Sequence, residues 1–427
     1  MRNVFDQYTQ PENRITHALV TALAEDQKLL RAFVRWITGV SAPAGKLNIV
    51  EQRLPGEAEL AEEDAARLGL PDAWIYNDDT WCLLIESKIA AKLSNDQLRR
   101  HQQTAVRRGF KRVNLLALDV IEPRSSLPSG VVFQRWQNVY TWLTKYTLQA
   151  KKPHESEWAR RVTQYLEIAE NRWPKEKYLK EGSLTTFSGI PIRSDEPYNY
   201  LEAKRVLKLA MDVLRKDKTL VRDLGMNQKL GGRPSITGKD GIAVWDYLPL
   251  KGATSEEAFT KNPHLTFAIE NDRLLAIITV PHGIKSVLRR RLVELGSDGF
   301  QQLLSEVNVR LLKALASAKG AAPWCIVVQR RYPSQRSTPI VDAKIEYDLR
   351  TAFPPRNKDG KVKMQPQWLQ ATYDALSHKQ SNLQVSIGAS FPYSLCPETS
   401  KPEIVDTIAK VWIACKPLLD VMQKGRY

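Results

Sequence analysis

Apolar positions recur at helical spacing from Ile15 through Leu19 to Leu23, and again from Leu30 through Phe33 and Val34 to Ile37. That period predicts two helices over residues 12–38, or one broken near Glu25-Asp26. The pattern then shortens. "LNIVEQRL" reads as a strand, and "GEAELAEEDAARLG" as an acidic, exposed connection. In "DAWIYNDDTWCLLIESKI" both arms are aromatic and branched, with Asn77-Asp78-Asp79 between them, which predicts a β-hairpin. "SNDQLRRHQQTAVRRG" returns to the helical period, with Ser94 as N-cap and Gly109 as stop. "VNLLALDV" and "VVFQRW" are further strands, followed by a helix over "NVYTWLTKY" and another over 156–171. Helix, strand, strand, strand, helix, strand, strand, helix is the order of a mixed sheet with helices on its faces.

From 171 to 199 the period is lost in a stretch rich in Pro, Gly and Ser, and the domain junction is placed there. The boundaries expected are a first domain at 1–175, a linker at 176–197 and a second domain at 198–427. The second domain opens with the helix "LEAKRVLKLAMDVLRK". Strands follow in "GIAVWDYLPL", "HLTFAIEN" and "RLLAIITV", the last two joined by a hairpin at Asn271-Asp272. Next come a basic helix over 285–318 broken near Gly296–Gly299, strands in "PWCIVVQRRY" and "VDAKIEYDL", and the helix "QPQWLQATYDAL". Strand "LQVSIGASF" and one final helix, "PEIVDTIAKVWIACKPLLDVM", complete the order. The fold class predicted is α/β: a mixed sheet flanked by helices, then a separate α+β domain.

At 427 residues the chain can bury two cores. No apolar run approaches the roughly 18 residues of a membrane span, and "MRNVFDQYTQPENR" lacks the apolar segment of a secretory signal. Cys82, Cys325, Cys396 and Cys415 stand far apart, which argues against a zinc site or a disulfide scaffold and suits a cytoplasmic location. The net charge of +16 favours a polyanionic partner. Most of that excess falls after residue 175.

Charge changes the reading most at the hairpin. Asp72 begins its first arm, and Glu86 lies near the end of the second. A turn at 77–79 brings the outer ends together, with Lys88 two residues on and on the same face as Glu86. Two close carboxylates repel unless a cation neutralises them. Mg²⁺ suits such a pair, since it takes oxygen ligands and keeps several waters. A water so held can attack a phosphodiester while an amine steadies the phosphate charge. The same residues also read as an ion pair at a strand end.

Pro71-Asp72, then Glu86-Ser87-Lys88 closing an apolar strand, then a helix opening on Gln97-Leu98 resembles the PD-(D/E)XK nuclease superfamily. "LLIESKIAAKLSNDQLRRHQ" is similar to its bacterial branch with I-E-x-K-I-x-A and Q-L-x-R-Y; His101 stands where tyrosine is usual. The resemblance covers roughly residues 5–150. It implies a restriction-endonuclease-like core in which Asp72 and Glu86 hold Mg²⁺ or Mn²⁺, helped by the Ser87 carbonyl. Lys88 would position or activate the attacking water. Glu12 would support the metal, and Gln97 would line the site and orient Lys88 or a phosphate. The implied activity is phosphodiester hydrolysis, of DNA in preference to RNA, in a bacterial defence or mobile-element system. A homodimer or a partner protein from the same system is compatible with it.

"RRHQQTAVRRGFKR" carries six basic residues over 99–112. Arg99, Arg100, His101, Arg107 and Arg108 are therefore candidates to grip a nucleic-acid backbone, against the reading of a solvated helix face. His17 reads as a packing or surface histidine. "GGRPSITGKDG" lacks the spacing of a phosphate loop and reads as a mobile loop. Two other functions stay open: a nucleic-acid- or partner-binding adaptor with an inactive core, and a nuclease effector gated by a ligand on the second domain.

Overall fold

The structure, a computed structural model, describes residues 5, 8–57, 70–78, 80–173, 178–192, 198–232, 242–253, 259–284, 286–334, 337, 339–353, 363–378 and 382–424. The acidic stretch from residue 58, turn residue Asp79 and the Gly-rich loop from residue 233 lie outside the described residues. The chain forms two compact units, Met1–Ser188 and Gly189–Tyr427.

In the first unit, helices α1 (Pro11–Glu25) and α2 (Gln27–Thr38) are separated at Asp26, whose carboxylate accepts the N–H groups of Lys28 and Leu29 and so restarts the helix. The strands are β1 (Asn48–Glu51), β2 (Ala73–Asn77), β3 (Trp81–Ser87), β4 (Arg112–Asp119) and β5 (Val131–Arg135), and they lie side by side in chain order. β1, β2 and β3 run antiparallel to one another; β3, β4 and β5 run parallel. Helix α3 (Asn95–Arg107) crosses from β3 to β4. It starts at its predicted cap, Ser94, and Gly109 follows it with a φ of +94°. Leu98 and Ala105 on α3 pack with Trp74, Leu84 and Leu115 into one buried cluster. α4 (Trp136–Gln149) and α5 (Glu157–Arg172) pack on each other, and α5 packs on α1. Every residue of β3 is buried, and each of its large apolar side chains contributes about 1.5–3 kcal/mol. That anchorage fixes the strand end that carries Glu86.

The second unit has one antiparallel sheet. Its strands are β6 (Ala243–Pro249), β7 (His264–Glu270), β8 (Arg273–Val280), β9 (Ala322–Arg331), β10 (Ile340–Asp348) and β11 (Leu383–Pro392), ordered β10-β9-β11-β8-β7-β6. Its helices are α6 (Tyr200–Arg215), α7 (Lys218–Leu224), α8 (Ser286–Val293), α9 (Gly296–Ala314), α10 (Gln367–Ser377), α11 (Ile404–Ala414) and α12 (Lys416–Lys424). Phe267, Ile278, Val327, Ile387 and Phe391 fill the face that meets the helices. The mixed α/β class is as expected from the sequence. Among the described residues no helix is long and apolar enough to cross a membrane.

Three expectations need correction. The single final helix is split at Cys415, because Pro417 cannot continue a helical hydrogen-bond ladder. Short α7, which the sequence reading leaves out, has a single turn of apolar spacing from Leu220 to Leu224, bounded by the Asp217 cap and Gly225 at φ +67°. The described part of the predicted linker is not free: Leu184 and Phe187 are buried, and Glu170 accepts the N–H groups of Leu184 and Thr185. An extended segment held by one carboxylate carries no periodic signal.

Candidate active site at the end of the mixed sheet

The register of the β2–β3 pair opposes Ala73 to Ile85, so one residue further out Asp72 meets Glu86. Both side chains point to the α3 side, as Trp74 and Leu84 do. Asp72 Oδ2 accepts the Ser87 N–H at 2.7 Å, which ties the two strand ends together. Ser87 itself is fully buried, and its hydroxyl has no hydrogen-bond partner among the described residues, which fits a side chain turned into the core rather than toward the carboxylates.

Glu86 is 1% exposed, and an imidazole and an ammonium hold it. Its Oε2 lies 3.0 Å from His101 Nε2 and its Oε1 lies 2.8 Å from Lys88 Nζ. Lys88 is the only group against Oε1 among the described residues, so one of the two lone pairs of that oxygen stays unfilled. Lys88 Nζ also donates to Glu12 Oε1 at 2.9 Å, and Glu12 Oε2 takes the Ile89 N–H at 2.9 Å. Glu12 is thus spent on Lys88 and on the chain just beyond it. The resemblance gives it a supporting role at the metal, directly or through water; in this structure its carboxylate holds the amine.

The electrostatics follow from this crowding. Burial raises the Asp72 carboxyl well above its ordinary value, and the charge of Glu86 raises it further; Lys88 and the Ser87 N–H only partly offset this. Burial also pushes Glu86 upward, but the His101 hydrogen bond and the Lys88 charge overcome it and hold Glu86 low. Burial lowers the Lys88 ammonium, yet Glu86, Asp72 and Glu12 outweigh it and hold the amine protonated.

Among the described residues no three Asp, Glu, His or Cys side chains form a ready metal-binding group. The Lys88 amine lies 2.9 Å from Glu12 and 2.8 Å from Glu86. The donor set still fits a small divalent cation. The open acceptor position on buried Glu86 Oε1, beside an Asp72 carboxylate destabilised by its neighbour, is what a hard cation relieves.

His101 is the clearest departure from expectation. It was a candidate for backbone contact, but it is 1% exposed and faces inward with Leu98 and Ala105. It serves as the hydrogen-bond partner of Glu86. Arg99, Arg100, Arg107 and Arg108 are exposed, on the outer face of the same helix. Arg99 pairs with Asp96 at 3.1 Å and Arg108 with Glu57. Arg99 and Arg107 border a shallow groove with Gln102 and Val106. Gln97, half-buried one turn before His101, makes no side-chain hydrogen bond among the described residues, and the Lys88 amine is held without it.

Two features escaped the sequence reading. Glu51 ends β1 beside Asp72, where the Gln52 N–H donates to the Asp72 carbonyl at 3.1 Å and Gln52 has a φ of +47°. Its carboxylate takes His17 Nδ1 at 2.7 Å, so His17 is neither a plain packing residue nor a surface one. Asp119, 4% exposed at the end of β4, is clasped by Lys180 Nζ at 2.8 Å, and the same amine donates to the Ala91 carbonyl at 2.6 Å. A short polar strand and a lysine sixty residues downstream give no local signal; only the pairing of β1 with β2 and of β3 with β4 brings them to the site.

No protein-family model matches this chain, and the comparison with curated proteins gives no match either.

Proposed function

We propose that this chain is a metal-dependent nuclease of the PD-(D/E)XK kind that hydrolyses phosphodiester bonds, with DNA as its polymer. The observation that carries this reading is the meeting of Asp72, Glu86 and Lys88 at one end of a mixed sheet, with Glu12 seated behind the amine. Four side chains from a helix, a loop and a strand end converge there, and two are acids that destabilise each other.

Asp72 and Glu86 would hold Mg²⁺ or Mn²⁺, which when bound supplies Lewis acidity at a phosphoryl oxygen and acidifies a water. Lys88, protonated and held by Glu12, would donate to a phosphate oxygen and stabilise charge that develops there. His101 keeps Glu86 ionised and oriented. The arginines on the outer face of α3 supply sequence-independent attraction for the phosphate backbone.

The test is cleavage of supercoiled plasmid, linear duplex, single-stranded DNA and RNA by wild type and Lys88→Ala, each with Mg²⁺, Mn²⁺ or EDTA. Metal-dependent cutting that Lys88→Ala loses by at least about a hundredfold supports the reading. Cutting that survives in EDTA, or that Lys88→Ala retains, overturns it. So does the absence of both cutting and calorimetric Mn²⁺ binding, which would favour an adaptor on a nuclease-like scaffold.

A further inference from the structure

The second unit buries one face of its sheet under helices. Its other face holds a cavity of about 400 Å³, within the size range of small-molecule sites. The chemistry along this cavity is graded. At one end, Arg330 donates to Gln384 Oε1 at 3.0 Å, and Tyr332 lies 3.4 Å from His282. Arg330 has no carboxylate partner among the described residues. Next comes a row of hydroxyls: Thr266 and Thr279 are 2.7 Å apart, and Thr279 and Ser386 are 3.4 Å apart. Beyond them the floor is apolar, formed by Ala268, Leu275, Ile277 and Ile326. Trp245 and Phe259 stand edge to face at 5.9 Å as the aromatic border.

The far end is already neutralised. Glu346 takes Arg273 at 2.6 Å, Lys344 at 2.6 Å and the Trp324 indole N–H at 2.7 Å, while Glu270 takes Arg273 at 2.8 Å. The cavity therefore has one unmatched cationic end and one end that carries carboxylates. A polyanion would find no second unpaired cation along the cavity. A discrete ligand with a single anionic head needs only the one at Arg330.

We propose that this cavity binds a mononucleotide, with its phosphate at Arg330, its sugar hydroxyls over the Thr266–Thr279–Ser386 row, and its base on the apolar floor beside Trp245. The order of chemistry in the cavity matches the order of groups in such a ligand. Charge supports the same orientation. Burial holds the Arg330 guanidinium below its usual value, and burial together with the Arg330 charge lowers His282, so both gain from a bound anion. This inference does not depend on the hydrolytic reading of the first unit.

The experiment is calorimetry and tryptophan fluorescence on the full chain with AMP, GMP, inorganic phosphate and a short single-stranded DNA. The expected result is one site for a mononucleotide, weakened at least about tenfold by Arg330→Gln, through loss of a charge-assisted hydrogen bond. Trp245→Leu weakens it as well and removes the fluorescence change, while Lys88→Ala and Arg310→Gln, a charge change on α9 away from the cavity lining, leave it intact. Unchanged melting confirms that each variant is folded. Absence of binding at millimolar nucleotide overturns the proposal. So does inorganic phosphate binding as tightly as AMP, which would leave an anion site only. A single strand that binds more tightly than AMP and depends on Arg330 overturns it in favour of a strand groove.

Discussion

Replacing His101 with Phe keeps a flat, slightly larger aromatic ring and removes the donor that faces Glu86. Glu86 and His101 are each 1% exposed, and their atoms are 3.0 Å apart, so water does not take over the lost contact. A hydrogen bond to a charged partner contributes about 1.5–3 kcal/mol, and here the Lys88 ion pair remains to hold the carboxylate. The expected cost at pH 7 is therefore about 2 kcal/mol. Amide exchange over β3 reads it directly: the opening equilibrium should rise by about thirtyfold, since 1.4 kcal/mol is a factor of ten. Peptides from β7 and β8 in the other unit should not change. Charge is the cause, so Glu86→Gln should suppress the effect, and His101→Phe in that background should cost less than half as much. The pH sign follows as well. Glu86 is held below the usual carboxylate value, so its contribution is present at neutral pH and lost as pH falls through the folded-state value; without His101 that loss begins at higher pH. Equal costs of His101→Phe in both backgrounds would refute the reasoning, because a packing effect alone is additive.

Two further predictions concern stability. His264 is 3% exposed, and burial lowers it to about 4 from an ordinary 6.5. Its neutral form stabilises the second unit fully above about pH 6.5, and up to about 3 kcal/mol is lost as pH falls toward 4. Denaturant melts of wild type and His264→Gln across that window should converge, the variant having the flatter profile; parallel profiles would count against it. Gly182 has a φ of +131°, and a Cβ there would lie 2.8 Å from the Val120 carbonyl oxygen, so Gly182→Ala should destabilise the first unit by more than about 1 kcal/mol in thermal melts. A neutral outcome would mean that the segment is not seated as described.

Strong periods and strong caps carried most of the fold. The Asp26 break, the hairpin about Asn77, the Ser94 cap and the six strands of the second sheet follow from rules that act within a few residues. What sequence could not deliver was set by long-range pairing. Asp72, Glu86 and Lys88 were readable because a hairpin brings them together locally. Glu51 was not, because only β1 pairing with β2 carries it to Asp72. His101 was assigned to the wrong face, since a run of arginines on both sides masks the inward stripe of Leu98, His101 and Ala105. Burial, not residue type, decides whether a histidine meets a phosphate or a carboxylate.

The clasp of Lys180 on Asp119 has a consequence for dissecting the protein. A polypeptide ended at residue 175, where the periodic signal stops, would lose Lys180, Leu184 and Phe187 together. Asp119 would then be left buried without its cation, a deficit of about 3–5 kcal/mol in typical cases and enough to unfold a marginal domain. A fragment carried through Ser188 retains the clasp and the apolar cover beside it. Residues 178–188, devoid of helix or strand, thus set the shortest piece in which the carboxylate site can be studied alone.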